Sequence, residues 1–247
     1  MRPIQEETNL GGVKAVAKSL LMTDIHKTKY SPAVIQHPFA SSGMVLLRIN
    51  GEFQFVDITK DQENLKLWRD RVEEQIDQSG DAFEIYLLVN KPYALTFLKY
   101  ALPHLSRTDM SRILASAWTM AEYPNLDVNL SKRQLVSLFK AAAPDALMDE
   151  EERQELADLE SPVTIYRGVT PYNEKNVRAL SWTLNYDTAK WFANRFDQTG
   201  TVYEAQVDKE HIMALFNGRN EAEVVVDPRY LMNVERRITQ EMGMKFL

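Results

Sequence analysis

Near the start of the chain, Leu10, Val13, Val16, Ala17, Leu20 and Leu21 follow the three-and-four spacing of one helix face, with Asn9 placed to cap it. Alternation then takes over in Met44–Ile49 and residues 52–58, joined by Asn50-Gly51. That dipeptide accepts the positive φ values of a two-residue type I′ turn, so a β-hairpin is expected. Asp61 opens a helix with Leu65, Trp68, Val72 and Ile76 on one face, and the apolar run 85–89 reads as a buried strand. Residues 91–159 are helical in pattern. Thr108 stands as a cap before the stripe Ile113, Leu114, Ala117, Trp118 and Ala121, and Ser131 with Gln134 has capping-box spacing before Leu135, Leu138 and Phe139. These aromatic and leucine stripes read as core.

Texture changes after Pro162. Residues 163–166, 177–183, Thr201–Val207 and Glu223–Val226 read as short strands, interrupted by a helix over 187–196 with Ala189, Phe192, Ala193 and Phe196 on one face. Strands that dominate the last third after a helical middle predict an α+β fold and argue against a doubly wound sheet. The expected division is a small α+β unit over 1–100, then a helical lobe and a second α+β domain over 101–247.

Composition narrows the chemistry. The 247 residues are 45% hydrophobic and 26% charged, the balance of a globular protein. No apolar run approaches a membrane span, and no secretory signal is visible at Met1–Glu7, so a cytoplasmic protein without membrane contact is expected, with delivery into a host or target cell left open. The absence of cysteine removes disulfides, thiolate nucleophiles and cysteine-built metal sites. Four scattered histidines give no ligand spacing, so no metal is expected. The net charge of −6 is concentrated in residues 145–160, where eight acids face the single cation Arg153, and such a run reads as a solvated helix face. No basic cluster marks a sequence-independent nucleic-acid site.

Three local features can carry chemistry. Glu221-Ala222-Glu223 enters the valine-rich Val224-Val225-Val226, and strand alternation would send both carboxylates to one face. The plain alternative is an exposed strand start that happens to carry two acids. Tyr166-Arg167-Gly168 ends an apolar strand with a guanidinium fork suited to phosphate or carboxylate, next to a residue that lets a ligand approach the backbone. Ser181-Trp182-Thr183 puts two hydroxyls on one strand face and an indole on the other.

In this order, and with an intervening helix bearing Ala189, Phe192 and Ala193, the three motifs resemble the arginine–serine–glutamate class of mono-ADP-ribosyltransferases, which includes bacterial toxins and phage-encoded enzymes. The likeness spans residues 166–227, about a quarter of the chain. Trp182 and Thr183 differ from the usual middle motif, the stretch between Thr183 and Glu221 is short, and Arg167 stands where the poly-ADP-ribosylating class has histidine. The resemblance implies a split-sheet NAD-binding core in the C-terminal part and transfer of ADP-ribose from NAD to an arginine of a target protein, a nucleic-acid acceptor remaining open. It further implies that Arg167 holds the diphosphate and ribose region, Gly168 gives backbone contact to the nicotinamide amide, and Ser181 orients Glu223. Thr183 would support the nicotinamide-ribose pocket, Glu223 would stabilise charge at the anomeric carbon, and Glu221 would engage the attacking group. Three rivals stand beside this reading: a glycoside hydrolase using the two acids, an inactive module of the same fold, and a structural or assembly protein.

Overall fold

The computed structural model describes residues 5–121, 129–195 and 199–237. The chain divides into two compact units, Met1–Leu130 and Ser131–Leu247. By compactness the helices up to Met120 group with the first unit, beside the sequence-based division at 100/101.

In the N-terminal unit, α1 (Leu10–Leu21) starts where the Asn9 side chain accepts from the Gly12 amide, and it buries Val13, Ala17 and Leu21. Three short antiparallel strands follow, β1 (His26–Lys27), β2 (Val34–His37) and β3 (Ala40–Ser42). Next comes the hairpin of β4 (Met44–Ile49) and β5 (Glu52–Asp57), in register from Met44–Asp57 to Ile49–Glu52. Asn50 and Gly51 have φ of 52° and 90°, the positive pair a type I′ turn requires. Helix α2 (Gln62–Gln78), capped by Asp61, buries Trp68, Val72 and Ile76. The run 85–89, expected as a strand, lies largely in α3 (Ala82–Leu87). Its local caps decide this: Asp81 Oδ1 accepts from the Glu84 amide at 2.8 Å, and Glu84 Oε2 accepts from the Gly80 amide at 2.6 Å. Helices α4 (Ala94–Ala101) and α5 (Arg107–Met120) complete the unit. The cap of α5 is Ser106 rather than Thr108, because Ser106 Oγ accepts from the Asp109 amide while Thr108 sits inside the first turn. Phe97, Leu98, Ile113, Leu114 and Trp118 are fully buried at the centre.

The C-terminal unit opens with α6 (Lys132–Ala141), whose Ser131–Gln134 capping box forms as expected. After α7 (Pro144–Leu147) comes the acidic helix α8 (Glu150–Asp158), with its own capping box between Asp149 and Glu152. The sheet consists of β6 (Val163–Val169), β7 (Ser181–Thr183), β8 (Thr201–Val207), β9 (Ile212–Phe216), β10 (Glu223–Val226) and β11 (Met232–Arg237). Their spatial order is β11-β8-β6-β7-β10-β9, and every neighbouring pair is antiparallel. The unit is thus α+β with an antiparallel sheet.

Two strand expectations need correction. Residues 177–180 lie outside β7, since pairing with β10 begins only at Ser181 opposite Val225. Strands β9 and β11 were not anticipated. Helix α9 (Tyr186–Asn194) begins one residue earlier than expected, because Asn185 Oδ1 accepts from the Asp187 and Thr188 amides. Phe196 lies outside the described residues.

The sheet has a seam at its middle. Strand β6 pairs with β8 along its whole length, from Val163–Val207 to Val169–Thr201, but it meets β7 in the one pair Tyr166–Thr183. Helix α9 packs on β6 at Gly168. A Cβ there would sit 2.1 Å from the Ala189 carbonyl oxygen and 2.5 Å from the Ala193 nitrogen. Ala189 and Ala193 are in turn small enough to bring the helix that close, and Tyr166, Tyr186 and Val202 pack around them.

Candidate functional site

The seam gathers the three motifs. Register places Tyr166 of β6, Thr183 of β7, Glu223 of β10 and Phe216 of β9 in one cross-strand row. Residues directly opposite on antiparallel strands share a face with Cβ atoms about 5 Å apart, so Glu223 stands between a threonine and an aromatic ring. Glu223 is only 7% exposed and starts a strand buried along all four residues. It is therefore no solvent-open strand start.

A buried carboxylate is costly unless neighbours compensate for lost water. Glu152, Glu223 and Asp227 are the buried acids among the described residues, and all three belong to this unit. Asp227 is held by Lys140 at 2.7 Å and Arg229 at 2.6 Å, and the Arg229 side chain is the main cause of a carboxyl pKa far below the usual range. Glu152 closes the α8 capping box and accepts from the Asn217 amide at 2.7 Å. Both have evident architectural duties. Glu223 sits among the residues of the other two motifs, and its charge reaches Arg167.

Arg167 is half-buried, and its Nη1 donates to the Ser181 carbonyl at 2.5 Å, tying β6 to β7 beside the seam. Its Nε is buried without a hydrogen-bond partner. Burial pulls the guanidinium down to about 10, with the Glu223 charge opposing that pull, so it remains a cation at neutral pH. Lys132, though much of it is open to solvent, is pulled below the ordinary lysine value by partial burial and by the Arg167 charge. Two cations that disfavour one another, one with an unanswered N–H, make a place where an anion is welcome.

The two acids of Glu221-Ala222-Glu223 do not share a strand face. Ala222 has φ of 43° and Asn220 of 58°, so the chain turns through left-handed conformations and β10 begins only at Glu223. Alternation therefore does not apply to Glu221. Its backbone is instead held by the middle motif: Thr183 Oγ1 donates to the Glu221 carbonyl at 2.6 Å and accepts from the Asn185 amide at 3.0 Å. The Leu184 amide adds a bond to the Ala222 carbonyl at 3.0 Å. The proton of the Thr183 hydroxyl is thus committed to fixing the loop that carries Glu221. Ser181 is opposite Val225, two residues along β10 from Glu223. Trp182 points into the core, 2% exposed, with its indole N–H on the Ala179 carbonyl at 2.9 Å.

Sequence reasoning missed two contributors. Arg219 Nη2 lies 3.1 Å from Glu221 Oε2, an ion pair within the 217–222 loop that no motif announces. Glu152 and Glu155 of the acidic run anchor Asn217 at the root of that loop through its amide and side-chain nitrogens, so the run is not solely a solvated face. The Asp149-x-x-Glu152 capping spacing was the available signal for a fixed Glu152.

Among the described residues no helix is long and apolar enough to cross a membrane. No protein-family model matches the chain, and comparison with curated proteins and with solved structures returns no match.

Proposed function

We propose that this protein is an NAD-dependent mono-ADP-ribosyltransferase that transfers ADP-ribose to an arginine side chain of a target protein and releases nicotinamide. The observation that carries this reading is the cross-strand row at one sheet seam that sets the buried carboxylate of Glu223 opposite Thr183, and Thr183 opposite Tyr166, with the neighbouring Arg167 tied to Ser181 of β7. The orphaned Nε of Arg167 supports it, since a diphosphate offers the acceptor oxygens that this N–H and the nearby Lys132 charge call for.

In this reading NAD supplies a glycosidic bond to a good leaving group, and the chain supplies the environment. Glu223 stabilises the positive charge that grows at the anomeric carbon as nicotinamide departs, an interaction stronger in the transition state than in the ground state. Burial strengthens that effect by lowering the local dielectric. Glu221, held in place through its carbonyl by Thr183 and 23% exposed at its side chain, receives the acceptor guanidinium and takes its proton. Arg167 holds the diphosphate and also ties β6 to β7. Gly168 admits α9 against β6, which is its first duty here; its backbone contact to the nicotinamide amide is part of the proposal.

Nicotinamide release and target labelling, followed side by side with labelled NAD and a cell lysate, test the assignment. Glu223→Gln should lower both by about 10²–10³-fold, the usual cost of one preorganised electrostatic stabiliser, with the deficit in kcat. Glu221→Gln should lose labelling and keep much of the nicotinamide release, because water needs no guanidinium partner. Wild-type nicotinamide release by the Glu223 variant would remove this residue from catalysis and leave a binding module.

A further inference from the structure

We propose that the outer face of α9 is a self-association surface, whose occupant is a second copy of this chain seated antiparallel across a two-fold axis at Trp191. An α-helix takes about 3.6 residues per turn, so Trp191 lies about 200° around the axis from both Ala189 and Ala193. Those two alanines are buried and bring α9 against Gly168 of β6, which puts Trp191 on the opposite side, 61% exposed. Asp187, Lys190, Trp191, Asn194 and Arg195 line a shallow groove of about 330 Å³ there. Steps of three and four residues make them one helix face.

The indole is braced. Phe192 meets its ring edge to face at 5.0 Å between centroids, and the Arg195 guanidinium lies 5.9 Å from its centre. The other tryptophans, Trp68, Trp118 and Trp182, are buried and serve the core. A tryptophan so exposed adds little to the fold. On a surface, however, a braced tryptophan is the residue type that anchors interfaces, since little conformational freedom is lost when a partner covers it.

Charge selects the occupant. Asp187, Trp191 and Arg195, the last being the C-terminal cap residue of α9, stand at i, i+4 and i+8. The stripe reads acid, aromatic, cation. An antiparallel copy reads cation, aromatic, acid along the same line, so pairing at Trp191 sets indole on indole and forms both Asp187–Arg195 contacts at once. Two-fold interfaces require this self-complementarity. A parallel copy would set like charges together, and a uniformly basic or acidic partner would satisfy only one end. Exposed ion pairs add little affinity, so they fix direction and register while the tryptophan supplies the attraction. An interface centred on a helix of 9 residues falls below the roughly 800 Å² per partner of a standard one, so a dissociation constant on the order of 10–100 μM is expected. Because the inner face of α9 bears on β6, pairing would clamp the helix that frames Tyr166-Arg167-Gly168.

Sedimentation velocity on the full chain from about 1 to 500 μM should show a monomer converting to a dimer. Acrylamide quenching should fall over the same range, and it reports on Trp191 because the other three indoles are buried. Trp191→Ala should weaken the dimer more than about 10-fold. Asp187→Arg and Arg195→Asp should each weaken it, and chains carrying both changes should regain it, since the swap restores both contacts. A folded monomer throughout the range overturns the proposal. A dimer indifferent to Trp191→Ala also overturns it, because the second copy would then sit on another face. If the doubly changed chain dimerises no better than the single variants, the antiparallel register is wrong.

Discussion

The two units spend their buried polar groups differently. Among the described residues of the N-terminal unit the buried polar side chains are His37, Thr96, Ser106 and Ser111, none of them an acid, and Phe97, Ile113, Leu114 and Trp118 of the helices are fully buried. In the C-terminal unit Glu152, Thr183, Glu223 and Asp227 are all buried, while each unit holds one half-buried arginine with an unsatisfied Nε, Arg69 in the first and Arg167 in the second. The first arrangement buries no carboxylate among the described residues. The second accepts desolvation of charge, which is where perturbed groups and chemistry concentrate. Exposed apolar side chains occur in both units, with Leu46, Phe53 and Phe55 on the β4–β5 hairpin and Tyr172 and Trp191 in the second unit. The contrast in buried carboxylates is what points to the second unit for candidate chemistry.

That contrast can be broken most forcefully at Trp118. Removing this fully buried indole with Trp118→Ala should cost about 3–5 kcal/mol and unfold much of the N-terminal unit, as read by urea denaturation. If stability holds, packing around this indole is not what keeps the helices together.

Acid separates the units by a second route. His37 is fully buried against Trp68, with Nε2 3.2 Å from the Leu21 carbonyl, and burial lowers its pKa to about 4. The unfolded chain takes up this proton near the ordinary histidine value of 6.5, so between pH 6.5 and 4 the unfolded state binds more protons and folding weakens as pH falls. The loss approaches about 3 kcal/mol near pH 4, at roughly 1.4 kcal/mol per pK unit. Asp227 works in the other window. Its depressed carboxyl gives stability that is fully present above the unfolded value of 3.8 and is lost only as pH falls towards the folded pKa. Hydrogen exchange resolved by segment should therefore show the N-terminal unit loosening at about pH 4.5 while β10 stays protected. Simultaneous loosening would erase the distinction.

Gly168→Ala probes the packing that frames the site. The added methyl meets the Ala189 carbonyl, a backbone atom that cannot rotate away, so α9 must shift. The expected cost is about 1–3 kcal/mol, with loss of the proposed NAD-dependent activity beyond what stability explains. Calorimetry and a nicotinamide-release assay on the same sample would show both, and an unchanged melting temperature would mean the helix adapts freely. The smallest effect belongs to the hairpin. Phe55→Ser, at a side chain 73% exposed, should change stability by less than about 0.5 kcal/mol by thermal melt. A larger loss would mean that this face is part of the fold.

Much of the local architecture was legible because it rests on local physics. Asn9, Asp61 and the Ser131–Gln134 pair cap helices as their spacing implies, and Asn50-Gly51 makes its turn. Thr201–Val207 and Glu223–Val226 form strands over the expected residues. Arg167, Ser181, Thr183 and Glu223 could be singled out from polar residues on apolar strands, although Arg167, expected to end its strand, lies inside β6, which runs on to Val169. Where two local readings competed, the chain alone did not decide. The run 85–89 has no period to separate helix from strand, and the Asp81 cap with its Glu84 reply tipped it to helix.

What remained belonged to the tertiary structure, since it depends on partners distant in sequence. Whether Glu221 and Glu223 share a face was settled by positive φ at Asn220 and Ala222, which Thr183, 38 residues away from Glu221 in the chain, helps to hold. Whether the strand of Arg167 lies near that of Glu223 depended on a sheet order that brings β10 beside β7 and β7 beside β6. The duty of Gly168 depended on a helix further along the chain, at Ala189. A sequence fixes the propensity and charge of each residue by itself. Burial, register and electrostatic neighbourhood are properties of pairs, and only the folded chain assigns the pairs.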